Sequence, residues 1–215
     1  MTTLTEGQHA GEFMVSEANG SRSRETKTLI LGQNLSAGAV LGEITKSGSA
    51  TSAADAGNTG NGAMGAVTVS AGANVGDYVL SVVATAANAG AFEVENPDGV
   101  NIGTGDVAAA FSDGGLAFTL ADGATDFAVG DRFIITVVAG SGKYTEYNPT
   151  NTDGSETAVA VLYDNVDASA ADVDCVIIAR EAEVASSSLQ WFTGATANQI
   201  ITGKAELSVA TIIAR

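Results

Sequence analysis

Covalent catalysis needs a nucleophile held against a base, and this sequence of 215 residues supplies few such parts: one histidine, His9, and one cysteine, Cys175. His9 lies in "TEGQHAGEF", a polar stretch without periodicity, so no Ser-His-Asp arrangement on a rigid element is expected. Cys175 opens the apolar run "CVIIA", where a thiol packs as a small hydrophobe, and a single cysteine forms no internal disulfide. No phosphate-cradling glycine loop, zinc-ligand spacing or dinucleotide fingerprint occurs. Asp122, Asp126 and Asp131 in "DGATDFAVGD" offer the oxygen chemistry that Ca²⁺ takes, but not at EF-hand spacing. Aspartate is an ordinary turn residue, so we expect no metal, no other cofactor and no catalytic residue.

Binding chemistry concentrates near the start. "GEFMVSEANGSRSRETKT" sets Phe13, Met14 and Val15 beside Arg22, Arg24 and Lys27, three of only nine bases. Such a segment reads either as a solvated tail or as one that orders on a partner. In the second case it adds a strand to a sheet edge, with Phe13 and Val15 in pockets and the arginines on carboxylates. A formal net charge of -16 argues against nucleic acid as that partner. No run of about 18 apolar residues exists to cross a membrane. The start lacks the basic-then-apolar pattern of a signal peptide, so synthesis in the cytoplasm is expected.

These residues must be positioned by a chain rich in turns, with 26 Gly and 2 Pro. Residues 1–25 read as an extended, mobile arm. "KTLILGQNLSAGAVLGEIT" gives strands at 28–31 and 40–45 around a Gly/Asn turn. Residues 49–65, "SATSAADAGNTGNGAMG", read as a low-complexity linker. From 66 to 141, "AVTVSA", "DYVLSVVAT", "GAFEVEN", "DVAAAF", "GLAFTLA" and "RFIITVV" alternate with Gly and Asp-Gly breaks, predicting an all-β sandwich or barrel. Alternation puts Leu116, Phe118 and Leu120 on one face, and Phe133, Ile135 and Val137 on one face of the last strand. Tyr78, Phe92, Phe111 and Phe127 also fall at positions that read as core.

Beyond 142 the texture of the first strands returns. Strands are expected in "GKYTEYNP", at 158–163, at 175–180 and in "SVATIIAR". A short helix is expected in "TGATANQIITGKAEL", where Thr196 and Gln199 match a capping box and Gly203 weakens the helix by about 1 kcal/mol. The signatures "TKSG" (45–48) and "GSGK" (140–143) flank the different middle. Deleting 49–141 on paper leaves "LGEITKSGKYTEYNP", an uninterrupted hairpin. Lys46 and Gly48 on one side, and Gly142 and Lys143 on the other, then read as two halves of one turn, opened at an exposed tip that tolerates insertion.

So joined, the sequence resembles the lambda-type phage head decoration proteins. The resemblance lies in "GEFMVSEANGSRSRET", "QNLSAGAVLGEIT", "GKYTEYNPTNTDGSETAVAVLYDNVDAS", "DVDCVIIAREAEV" and "TIIAR", in that order. The middle is similar to a β-rich module of phage structural proteins, through "FEVENPDG" and "GLAFTLADGATDFAVGDRFIITV". The sequence departs from the family beside the last helix, where Trp191 is followed by Phe192 and not by proline. The resemblance implies a mainly β fold with a short helix: a decoration domain (26–48 and 142–215) interrupted by an inserted β-sandwich or barrel-like domain (66–141). It also implies a homotrimer on the outside of an expanded head, reinforcing the shell against packaged DNA, with the major capsid protein as partner of the arm. The alternative is adhesion, with the inserted domain recognising a glycan or host receptor.

Overall fold

In the computed structural model, which describes residues 6–215, the chain begins with β1 (Met14–Glu17), a single helical turn α1 (Gly20–Ser23), β2 (Arg24–Leu29), β3 (Gln33–Leu35) and β4 (Val40–Glu43). It continues through β5 (Lys46–Ala54), β6 (Thr68–Val69), β7 (Gly76–Ala86), β8 (Ala89–Glu95), β9 (Asn101–Asp106), β10 (Ala110–Asp113), β11 (Leu116–Thr119) and β12 (Arg132–Ala139). It closes with β13 (Tyr144–Glu146), β14 (Ala160–Leu162), β15 (Val166–Ala168), β16 (Val173–Ile178), β17 (Ala182–Val184), α2 (Ala197–Val209) and β18 (Ile212–Ala214). The fold is mainly β, in two compact units: one from the stretches up to Thr45 and from Gly142 onward, the other from Lys46–Ser141.

The first unit is built on a closed barrel in the order β13-β2-β16-β14-β4. β4, β14 and the end of β16 carry consecutive apolar residues, which suits strands covered on both faces. Leu29, Leu41, Tyr144, Leu162, Cys175 and Ile177 fill the inside. Their neighbours Val40, Val161 and Ile178 point outward into a second core with Phe13, Tyr147, Val184, Leu189, Leu207 and Ile212. That outer layer comes from α2 and from a small sheet ordered β1-β17-β18.

Helix α2 starts where the capping box places it. The Thr196 N–H donates to Gln199 Oε1 at 2.9 Å, and the Gln199 N–H to Thr196 Oγ1 at 3.4 Å. Gly203 is buried under the Trp191 ring, where a Cβ would collide with the indole. Trp191 and Phe192 stand edge-on to Tyr147, with centroids at 5.8 and 6.2 Å. The glycine that weakens the helix by propensity thus lets the aromatic layer close.

In the second unit the sheet order is β10-β11-β6-β5-β12-β7-β8-β9. It bends around one core holding the inward faces read from the sequence: Leu116, Phe118 and Leu120, then Phe133, Ile135 and Val137, joined by Tyr78, Phe92, Phe111 and Phe127. Phe92, Phe111 and Phe118 form a ring cluster with centroids 4.9–5.9 Å apart. Residues 49–54, expected as linker, are instead strand. They form most of β5, which pairs with β12 over Ala50–Ala54 and with β6 at Ser49. Small residues make this strand mainly through its backbone ladder, with Ala50 packed against the core. β9 is a further strand the sequence did not predict.

Two outcomes are expected. The two units have separate cores, so replacing residues 46–141 by an Asn-Gly turn should leave a cooperatively unfolding first unit, read by calorimetry and near-ultraviolet dichroism. Gly203→Ala, worth about 1 kcal/mol of stability in an exposed helix, should here lower the urea midpoint because the methyl group meets Trp191.

Candidate functional site

The binding residues expected near the start belong to β1, α1 and β2 of the first unit, with Phe13 just ahead of β1, and are not a loose arm. Phe13 is fully buried in the outer core. Met14 lies in β1 opposite Val184, and the Ala185 N–H donates to the Phe13 carbonyl at 2.7 Å. The mobile arm expected over 1–25 is therefore corrected for residues 6–25; residues 1–5 lie outside the described residues. Once Val40, Val161 and Ile178 face outward from the barrel, they need a cover, and burying a phenyl ring there outweighs the entropy of a free tail.

Val15 alternates to the other side and is 57% exposed. Among the described residues, β1 is an edge strand that pairs only with β17, and the register shifts between Met14 and Ser16, so that Val15 stands at a β-bulge. The next residues fold back as α1, capped by Asn19, whose Oδ1 accepts from the Ser21 N–H at 3.1 Å.

The three bases of this segment all meet carboxylates. Arg24 grips both oxygens of Glu17, with Nε at 3.0 Å from Oε2, and its guanidinium stacks 4.0 Å above the centroid of the Tyr163 ring. Ser23 Oγ donates to the same Glu17 at 2.6 Å. Hydrogen bonds from Arg24, working against the opposite effect of burial, hold the Glu17 carboxyl below the ordinary glutamate range. Arg22 pairs with Glu181 at 2.5 Å and Lys27 with Glu25 at 3.0 Å, while Arg180 shares Glu25. The Arg22 and Arg180 pairs tie α1 and β2 to the β16–β17 turn, Arg24 ties β2 to β1, and Lys27–Glu25 stays within β2. Sequence reasoning named the bases but missed Glu17, Tyr163 and Glu181, because their partnership exists only after the chain folds back.

The four junction residues divide between the units. The Gly142 N–H donates to the Ile44 carbonyl and the Ile44 N–H to the Lys143 carbonyl, both at 2.9 Å. Lys143 Nζ meets Asp172 at 2.5 Å. In the second unit Lys46 is buried opposite Ala139, with Nζ donating to the Ala71 carbonyl at 2.6 Å, and Gly48 is exposed.

The other candidates take structural roles. His9 faces solvent against Glu6 at 3.0 Å. Cys175 is buried in the barrel, which pushes its thiol up from the ordinary value. Asp131 is buried, yet N–H groups of Thr59, Ala128 and Gly60 outweigh that burial and hold its carboxyl low. Asp126 accepts from the Asn88 N–H. Among the described residues, no group of three or more His, Cys, Asp or Glu side chains is placed to hold a metal.

A family model described as bacteriophage lambda head decoration protein D matches residues 3–212 of the chain. No curated protein sequence matches it. Partial similarity exists to solved structures of flagellar proteins. FlgL from Xanthomonas campestris is 23% identical over 48% of this chain and 33% of its own, with TM-score 0.36. FlgL from Legionella pneumophila is 13% identical over 49% and 35%, with TM-score 0.35. FlgK from Burkholderia pseudomallei is 16% identical over 60% and 23%, with TM-score 0.35. The matched portion thus spans about a third or less of each flagellar protein.

The Glu17 pairing predicts an acid-limb effect. A carboxyl held low in the folded state contributes stability above its unfolded value near pH 4.3, and that contribution disappears as pH falls through the folded value. Arg24→Gln should therefore destabilise at pH 6 by about 1 kcal/mol or more, with the gap to wild type narrowing towards pH 3. Melting temperatures of both proteins across that range measure it.

Proposed function

This chain belongs to the family of bacteriophage lambda head decoration protein D, and we propose that it binds the outer surface of the expanded head as a homotrimer and reinforces it against the pressure of packaged DNA. The family is a structural one, and the partner in this reading is the major capsid protein. The observation that supports the mechanism is the outer edge of β1, a strand paired on one side only, anchored by buried Phe13 and exposing Val15 at its bulge.

A strand of the shell added to that edge gains ladder hydrogen bonds and a pocket contact with Val15. Because Phe13 and the Arg24–Glu17 pair already order this segment, binding does not incur the entropy of ordering a tail. Three such edges on one trimer turn weak single contacts into tight attachment, since each engagement places the next at a high effective concentration. The acidic second unit then adds negative charge that phosphate backbones repel. Adhesion gains no support, since Tyr78, Phe92, Phe111, Phe118, Phe127 and Phe133 are all buried and unable to stack on a sugar.

Binding to expanded shells stripped of decoration protein tests the reading. Val15→Asp should keep the melting temperature within a few degrees yet lose most shell binding, measured by co-sedimentation. Undiminished binding would end the β1-edge mechanism, and absence of wild-type binding would end the decoration role. Phe13→Ala should act through folding instead, costing about 3–5 kcal/mol.

A further inference from the structure

Helix α2 turns to solvent a face without charge. Its exposed positions include Asn198, Ile201, Thr202, Ala205, Ser208 and Val209. Ile201 is 65% exposed and Val209 85%. Ser208 turns its hydroxyl back onto the Ala205 carbonyl at 2.5 Å, which occupies its one polar group within the helix. An exposed helix face ordinarily carries charged residues, and this chain has 25 acids to supply them. A face kept clear of them suits a surface that a partner covers.

The rims of the face point to that partner. Each residue turns the helix by about 100°, so Lys204 and Glu206 stand on opposite flanks of Ala205. Glu206 Oε2 accepts the Ala158 N–H at 2.8 Å, and Oε1 has no hydrogen-bond partner among the described residues. Among the same residues no carboxylate pairs with Lys204, whereas six of the nine bases are so engaged. Arg132 also lacks such a pair, but it belongs to the second unit. A face with a cation on one rim and a carboxylate on the other complements a rotated copy of itself. When copies turn about an axis parallel to α2, the Lys204 rim of each meets the Glu206 rim of the next. Antiparallel packing about a twofold axis sets like rims together instead.

We propose that α2 is the contact between copies of this chain, with three such helices parallel around the trimer axis. Ile201, Ala205 and Ser208 lie against that axis, and Lys204 of each copy reaches Glu206 of the next. The two charges differ by only about 3 Å in height along the helix. Small side chains at Ala205 and Ser208 let the helices approach closely. The apolar groove beside Val209, lined also by Val159 and Ala210, extends the uncharged surface past the end of α2. The inference rests on the homotrimer of the proposed function and gives it an interface; it does not depend on the β1 edge.

Sedimentation equilibrium and oxidative cross-linking of the full chain test it. Wild type should sediment as a trimer. A wild type monomeric at every concentration reached would overturn this inference together with the trimer beneath it. Ala205→Glu keeps a good helix former at an exposed position, so its circular dichroism should match wild type, while like charges on the axis raise the dissociation constant about a hundredfold or more. A trimer undisturbed by Ala205→Glu would overturn the α2 contact and leave the trimer standing. Lys204→Glu should weaken assembly about tenfold at low salt and less at high salt; no change would overturn the rim pairing. Ile201→Cys and Ser208→Cys should each form disulfide-linked pairs, because parallel copies bring like positions together. Cross-links that appear only when these two variants are mixed would mean antiparallel helices and overturn the cyclic arrangement.

Discussion

Strands β4 and β14 and the end of β16 at Ile177 and Ile178 are buried on both faces, and the architecture of the first unit follows from that. Leu41, Leu162 and Ile177 close the barrel from inside, while Val40, Val161 and Ile178 leave an apolar outer wall that water would otherwise cover. At about 1.5–3 kcal/mol for each large side chain kept from water, the fold cannot leave that wall bare. The cover is assembled from segments far apart in sequence: Phe13 from one end, Tyr147 from the middle, Leu207 and Ile212 from the other end. The segments nearest both ends of the described chain are therefore structural necessities, and the exposed edge of β1 inherits its rigidity from the same packing.

Charge is arranged on top of this scaffold in a one-sided way. The bases near the start are consumed by Glu17, Glu25 and Glu181. What reaches solvent is mostly the unmatched acid behind the net charge of -16. Such a surface is repelled at long range by phosphate backbones.

Where side chains dominate, the sequence was readable. The inward faces of β11 and β12 and the capping box of α2 are local patterns, and each lies where alternation or spacing puts it. β5 was not readable because "KSGSATSAA" carries no large apolar residue, so only its position between β6 and β12 makes it a strand. β9 was hidden for a related reason: Gly105 replaces the expected side chain because the Phe92 ring occupies that space. The arm reading failed first on Phe13. A single phenylalanine in a polar context looks like a tail until the wall it covers exists.

The paired crossings at Ile44 and Gly142 bear on how the molecule assembles. For the first unit, the stretch Lys46–Ser141 is a loop whose ends must meet before β4 and β13 can pair. As flexible chain, a loop of that length would cost roughly 4 kcal/mol in closure entropy. Once folded, with Lys46 paired to Ala139, the second unit presents its own ends as neighbours and removes most of that cost. It thus acts on the first unit as a covalent clasp does, and because it is contiguous in sequence it can form early. Loosening the second unit would weaken the first without altering any contact within it.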